Sequence, residues 1–234
     1  IQVTMSEAVY NTSGGSGALE ASDFALSLSG GSASLASSIP SSISASGNVY
    51  TLGVGFTGTP NGGETLTVSP VDDGIYDIVG NEAATSQSNN TASLNDQLAP
   101  TITLTVANSG GDAISSGSAT NDATLTLTLT SSENTTNLNY TDVTVTGGAV
   151  SAFSGSGASY TATFTPGGNG AATIDVAAGA FTDAAGNDNT AATQFTWTYD
   201  GTAATITSTT LASNNSSIDV TLSEAVYKTS SGSG

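Results

Sequence analysis

The sequence of the first residues of the chain recurs at its C-terminal end. Residues 1–17 read IQVTMSEAVYNTSGGSG, and residues 218–234 read IDVTLSEAVYKTSSGSG. Most of the first ten residues recur identically, and Met5 is replaced by Leu222. Self-similarity at a long fixed period is typical of repeat arrays, in which each repeat is one structural unit. We therefore expect the chain to begin part-way through one unit and to stop part-way through the equivalent unit.

Nearly every ordered-looking run alternates apolar with polar residues. The clearest is residues 123–130 (ATLTLTLT), and the same pattern recurs at residues 101–106, 142–146, 160–165 and 194–199. Successive side chains of a β-strand point to opposite faces, so Leu125, Leu127 and Leu129 share one face and the intervening threonines the other. One buried and one solvated face is typical of antiparallel sheets. Gly, Asn, Ser and Pro clusters about every 8–12 residues then predict an all-β sandwich.

A second, weaker repeat lies inside the first. Residues 75–82 (IYDIVGNE) align with residues 181–188 (FTDAAGND), and residues 99–102 (APTI) align with residues 203–206 (AATI). Two diverged sandwiches therefore alternate along the chain. The predicted domains are residues 1–99 with the first strand missing, residues 100–203, and residues 204–234 as the truncated start of a third domain that repeats the first.

The charge balance excludes several classes of function. The chain has 19 acidic residues against one basic residue, Lys228, and its formal net charge is −18. Nucleic acids and anionic membrane surfaces are themselves polyanions, so neither is an expected partner, whereas cations are. No run reaches the roughly 18 apolar residues that a membrane helix needs, so membrane insertion is not predicted.

Catalysis is not predicted either. The chain has no histidine and no cysteine, so the usual nucleophile–base triads cannot be assembled and disulfides are excluded. Lys228 would have to carry any Schiff-base chemistry, but its counterpart in the other copy is Asn11. The acidic pair Asp72 and Asp73 lacks a neighbouring cluster of aromatic residues that could hold a sugar. We predict no catalytic and no cofactor-binding residues.

Several short motifs occur in the same order in both repeats and resemble those of bacterial Ig-like domains. The first repeat carries Ser6-Glu7, Asp23-Phe24, Tyr50 and Asp77…Gly80-Asn81, and the second carries Asp142, Tyr160, Thr165-Pro166 and Asp183…Gly186-Asn187. These domains occur in tandem in giant bacterial surface proteins, including gliding adhesins. If Leu129 aligns with Met5, Glu133 lies about two positions later than Glu7.

The resemblance implies a fold and a function. The fold is a series of tandem Ig-like, seven-stranded β-sandwich domains in an elongated array. The implied role is a structural repeat of an extracellular adhesin stalk or surface filament on the bacterial cell surface, a spacer that projects a distal binding region. Its partners would be neighbouring repeats of the same chain, with self-association into filaments. Two alternatives stay open: a polymerising fibre or sheath subunit, and an adhesive module that binds glycans or cells.

Acidic residues in the predicted loops are candidate calcium ligands. In a seven-stranded sandwich, the B–C and F–G connections and the preceding linker meet at one pole, where three or more carboxylate oxygens suit Ca²⁺. The predicted ligands, at domain junctions, are Glu7, Asp23, Asp77, Asp96, Asp142, Asp183, Asp200 and Glu224. The alternative is that aspartate in Asp-x-x-Gly-Asn forms a turn by accepting backbone N–H groups. Both interpretations stand at this point.

Trp197, Phe195 and Tyr199 share one face of a predicted strand. Such a row could stack against a sugar ring. The same period of two is what a core-facing strand shows, and we therefore expect these rings to lie in the core.

Overall fold

The structure is a computed structural model, and it describes residues 1–227. Nearly all of its regular structure is β-strand, which confirms the predicted all-β, Ig-like sandwich class. The chain divides into two compact units. Unit 1 comprises residues 1–100 with residues 182–188, and unit 2 comprises residues 101–181 with the residues from Asn189 onward.

Unit 1, within the described residues, contains eight short strands. They are β1 (Gln2–Thr4), β2 (Phe24–Ser29), β3 (Ser34–Leu35), β4 (Ile43–Ser46), β5 (Val49–Leu52), β6 (Phe56–Thr57), β7 (Thr65–Pro70) and β8 (Thr91–Ser93). Two three-stranded antiparallel sheets form, in the orders β1-β5-β4 and β2-β7-β8, and β3 pairs with β6. Each strand is only a few residues long, so stability depends on packing between the sheets rather than on any one ladder.

The core of unit 1 draws on both three-stranded sheets. Alternate residues of β2, β5 and β7 supply most of it, and its buried members are Leu19, Phe24, Leu26, Tyr50, Leu52, Leu66, Val68 and Ile75. The rings of Phe24 and Tyr50 lie 6.2 Å apart between centroids. The alternation seen in the sequence is therefore the division between an inner and an outer face.

Unit 2, in the part that the structure describes, contains ten strands. They are β9 (Ile102–Ala107), β10 (Ala113–Ile114), β11 (Ala119–Thr120), β12 (Leu125–Thr135), β13 (Val143–Thr146), β14 (Gly148–Pro166), β15 (Gly170–Val176), β16 (Phe195–Tyr199), β17 (Ile206–Leu211) and β18 (Ile218–Leu222). Two four-stranded sheets run in the orders β10-β9-β12-β14 and β11-β16-β15-β13. The β11–β16 pair is parallel, and β17 and β18 form a separate antiparallel hairpin.

The leucines of β12 anchor the core of unit 2 as predicted. Leu125, Leu127 and Leu129 are at most 1% exposed, whereas Thr126 is exposed. Trp197 is buried in the same cluster, so the prediction that it packs in the core is confirmed. Its indole meets the ring of Phe164 edge-on, with centroids 4.7 Å apart. Edge-to-face contact of this kind is favoured by the opposite charges of ring edge and ring face.

The strand register corrects the alignment of the two units. In β12, Leu129 pairs with Tyr160, and in β1, Val3 pairs with Tyr50. Leu129 therefore corresponds to Val3, and the alignment of Leu129 with Met5 was wrong. Glu133 then falls at the place of Glu7 rather than two positions late. A shift by two leaves an alternating pattern unchanged, so the sequence alone did not fix this register.

Each unit also contains one helical turn. A three-residue 3-10 helix, Ala21–Asp23, precedes β2, and another, Tyr140–Asp142, precedes β13. The two turns occupy equivalent places in the strand order. The division into three domains at residues 99 and 203 stays a prediction, and its last residues, 228–234, lie outside the described part of the chain.

Candidate functional site

Asp23 and Asp142 cap the two helical turns. The Asp23 carboxylate accepts the Glu20 backbone N–H at 2.7 Å, and the Asp142 carboxylate accepts the Asn139 backbone N–H at 2.8 Å. A carboxylate that satisfies an otherwise unpaired N–H at the start of a helical turn fixes the direction in which the next strand leaves. The motif of aspartate followed by an apolar residue therefore positions β2 and β13.

Asp77 and Asp183 each close a loop of Asp-x-x-Gly-Asn sequence. Asp77 accepts the backbone N–H of Asn81 at 2.8 Å and its side-chain amide at 2.7 Å. Asp183 accepts the same two groups of Asn187 at 2.9 and 2.8 Å. The turn-forming role considered for this motif is therefore what the structure contains at both copies of the motif.

Hydrogen bonding keeps both loop aspartates ionised. The side-chain amide of Asn81, helped by backbone N–H groups, lowers the pKa of Asp77 below its ordinary value. Burial raises the pKa of Asp183, which is 3% exposed, but hydrogen bonds from Asn187 and neighbouring backbone N–H groups outweigh it and the net shift is downward. Hydrogen bonds to the charged form favour it, so each carboxylate stabilises its loop down to acid pH.

Two of the predicted calcium ligands lie together in unit 1. The Asp96 and Asp183 carboxylates have oxygens within 4.8 Å of each other. The side-chain amide of Asn187 also donates to the Asp96 carbonyl oxygen at 3.3 Å. Glu7 and Asp77 both border one groove, but Glu7, Asp23 and Asp77 do not form a trio within that spacing in the described residues.

The remaining predicted ligands belong to unit 2. The Asp200 carboxylate accepts the side-chain amide of Asn169 at 2.6 Å and the backbone N–H of Thr202 at 3.0 Å. Glu224 is exposed and follows β18. Asp200 therefore already bonds to two neighbouring groups, whereas Glu224 faces solvent.

Glu64 was missed by the sequence reasoning, although a signal for it existed. Its side chain is 1% exposed and accepts the backbone N–H groups of Ser32 at 2.7 Å and Ala33 at 2.9 Å. Glu64 stands two residues before Leu66 and four before Val68, so it shares their inward face. A carboxylate in phase with core residues has to be paired, and here it joins the segment after β2 to the start of β7.

Part of the chain matches a known protein family. Residues 96–199 match the family described as the bacterial Ig-like domain. Over these residues the chain is similar to bacterial Ig-like domains. The match covers all of the strands from β9 to β16, so both four-stranded sheets of unit 2 lie within the matched residues. A search of curated proteins finds no match to the chain.

Bacterial Ig-like domains are typically structural modules without enzymatic activity, and they are usually extracellular or surface-exposed. In residues 1–227, none of the helices has the length and apolar character to cross a membrane.

Calcium binding by the predicted ligands stays a prediction that thermal melting tests. Extracellular calcium modules have Kd values of about 10⁻⁴–10⁻³ M. At a tenfold excess of ion over Kd, binding stabilises the folded state by about 1.4 kcal/mol. We therefore expect 10 mM Ca²⁺ to raise the Tm of the segment 96–199 by about 5 °C over a chelator control. Asp96→Asn should reduce the rise, and Asp112→Asn, outside the predicted set, should not. An unchanged Tm contradicts the prediction.

Proposed function

We propose that the chain is a structural repeat segment of an extracellular bacterial adhesin stalk or surface filament. Its work is to hold a distal binding region away from the cell. One observation carries the proposal: the order β2-β7-β8 in unit 1 matches the order β13-β15-β16 in unit 2, and each unit packs its sheets around a core of its own. Units that each bury their own core add length to an array without needing a partner outside it.

The chemistry of the surface favours the function of a spacer rather than that of a binding module. The predicted site carboxylates Asp23, Asp77, Asp142 and Asp183 are engaged in the turns that carry the strands. The aromatic row that could have stacked against a sugar includes Trp197, which is 2% exposed. A net charge of −18 keeps neighbouring stalks apart by repulsion and keeps them soluble.

A glycan array and a pulling experiment test the proposal together. We expect the chain to give no glycan signal on an array where a lectin of known specificity does. When the chain is held between handles in optical tweezers, each unit should unfold in a separate step that releases about 30 nm, the extended length of roughly 100 residues less its folded length. Saturable glycan binding, or one single step for the whole chain, would contradict a passive spacer.

A further inference from the structure

The chain contains asparagine followed by glycine at two places, Asn61-Gly62 and Asn169-Gly170. Asparagine is a thermolabile residue. Its side-chain carboxamide is lost when the backbone nitrogen of the next residue attacks it, and glycine has no side chain to shield that nitrogen. Both asparagines are exposed, so exposure does not distinguish the two pairs, whereas their hydrogen bonds do.

The Asn61 carboxamide is folded toward Gly62. Asn61 lies in the loop between β6 and β7, and its Oδ1 accepts the backbone N–H of Gly63 at 3.2 Å. This hydrogen bond closes a ring of atoms that contains both Cγ of Asn61 and the backbone nitrogen of Gly62. The same N–H group stabilises the negative charge that develops on Oδ1 when Cγ is attacked. Within the described residues, the hydrogen bonds of Asn61 involve its backbone N–H and Oδ1, and none holds Nδ2, the atom that must leave.

The Asn169 carboxamide is held through both of its polar atoms. Its Nδ2 donates to the Asp200 carboxylate at 2.6 Å and to the Thr202 hydroxyl at 2.7 Å, and its Oδ1 accepts the Gly201 backbone N–H at 2.9 Å. Gly170 is the first residue of β15 and is paired with β16. Attack by its nitrogen requires the carboxamide to give up these three bonds, two of which hold the departing Nδ2. The fold therefore protects Asn169.

We propose that Asn61 is a site of spontaneous deamidation with the Gly62 backbone nitrogen as nucleophile, and that the same reaction at Asn169 is suppressed. The Gly62 nitrogen loses its proton to solvent and bonds to Cγ of Asn61. The Cγ–Nδ2 bond breaks, and Nδ2 takes a proton from solvent and leaves as ammonia, which produces a succinimide ring. One water then opens the ring. Cleavage of the bond from the nitrogen to Cγ gives aspartate, and cleavage of its bond to the backbone carbonyl carbon gives isoaspartate.

Either product changes the loop that Glu64 holds. The backbone N–H of Asn61 donates to both carboxylate oxygens of Glu64, at 3.2 and 3.1 Å, and the Pro60 carbonyl oxygen accepts the Gln97 N–H at 2.9 Å. Deamidation adds a carboxylate close to the buried Glu64 carboxylate, and like charges repel. In isoaspartate the main chain also runs through Cβ and is longer by one carbon, which displaces these hydrogen bonds. We therefore expect the modified unit 1 to melt at a lower temperature, whether or not the chain is a spacer.

Peptide mapping of the chain after incubation at mildly alkaline pH tests the selectivity. Chymotrypsin cuts after aromatic residues and leucine, so it releases residues 57–66 and residues 165–181, which carry one pair each. In the folded chain, deamidation of the first peptide should be at least about tenfold faster than that of the second. In urea, where both loops are unfolded, the two rates should agree within about twofold. Equal rates in the folded chain, or the same ratio in urea, overturn the proposal.

Two variants identify the groups responsible. Asn61→Gln places the carboxamide one CH2 further from the nitrogen and should give no product at position 61 over the same period. Asp200→Ala removes one acceptor of the Asn169 amide and should speed deamidation of Asn169 by at least about threefold, whereas Asp112→Ala, which removes a carboxylate that Asn169 does not contact, should not. An Asn169 that reacts no faster in Asp200→Ala than in the wild type overturns the assigned protection.

Calorimetry of aged chains tests the effect on unit 1. An isoaspartate-specific methyltransferase measures the modified fraction, and that fraction should melt about 5 °C below the fresh chain. The Asn61→Gln chain, aged in the same way, should keep its initial Tm. Aged wild-type chain that carries isoaspartate in residues 57–66 and still melts like the fresh chain would overturn the predicted destabilisation.

Discussion

Replacing Trp197 by alanine is expected to lower the free energy of unfolding of unit 2 by about 3–5 kcal/mol. The indole is 2% exposed and packs between the rings of Phe164 and Phe195, with centroid distances of 4.7 and 6.0 Å. Its removal loses the buried apolar surface and leaves a cavity that the short β16 cannot close by shifting. Urea unfolding followed by far-UV circular dichroism measures the loss, and hydrogen exchange of β12 peptides assigns it to unit 2.

Two control variants separate packing from polarity at Trp197. Its Nε1 is buried and has no hydrogen-bond partner among the described residues, so Trp197→Phe removes an unsatisfied donor as well as apolar surface. We therefore expect Trp197→Phe to cost less than half as much as Trp197→Ala. Thr198→Ala changes an exposed neighbour on the same strand and should stay within about 0.5 kcal/mol of the wild type. An alanine variant at position 197 that is as stable as the wild type would refute the core assignment.

Replacing Glu64 by alanine is expected to lower the Tm of unit 1 by about 10 °C. The carboxylate accepts the backbone N–H groups of Ser32 and Ala33 and, at 3.1–3.2 Å, that of Asn61. Alanine would leave these donors unsatisfied in a region that water reaches poorly. Differential scanning calorimetry measures the shift. Glu7→Ala, which removes an exposed carboxylate of the same length, should move the Tm by less than about 2 °C.

Acid pH should reproduce part of the destabilisation that Glu64→Ala causes in unit 1. The backbone hydrogen bond from Ala33, with those from Asn61 and Ser32, outweighs burial and lowers the pKa of Glu64 below its ordinary value of 4.5. A lowered carboxyl pKa contributes stability that is present above the unfolded value and is lost as pH falls through the folded value. Wild-type unit 1 should therefore destabilise progressively below about pH 4.5. The Glu64→Gln variant should be less stable than the wild type at neutral pH, and its free energy of unfolding should depend less on pH below about pH 4.5. If the stability of the variant falls as steeply with pH as that of the wild type, other groups govern the acid destabilisation.

Part of the candidate site was predictable and part was not. The loop aspartates Asp77 and Asp183 were found because Asp-x-x-Gly-Asn carries its own turn chemistry within five residues. Asp23 and Asp142 were found as motif residues, but their capping role depends on a helical turn too short to leave a periodic signal. Glu64 was missed because two of the groups that its carboxylate accepts from, the backbone N–H groups of Ser32 and Ala33, lie more than 30 residues away in sequence.

The sequence by itself determined the fold class and the repeat. Alternation of leucine with threonine divides each strand into an inner and an outer face, and this depends only on local backbone geometry. The recurrence of residues 1–17 at residues 218–234 predicted equivalent units from the sequence alone.

Only the tertiary structure decided which strands are partners and in which register. It aligned Leu129 with Val3 through their tyrosine partners and buried Glu64. Strand pairing joins residues far apart in the chain, and an alternating pattern is the same after every shift by two. The register was therefore fixed by side-chain packing across the sheets, which no local pattern encodes.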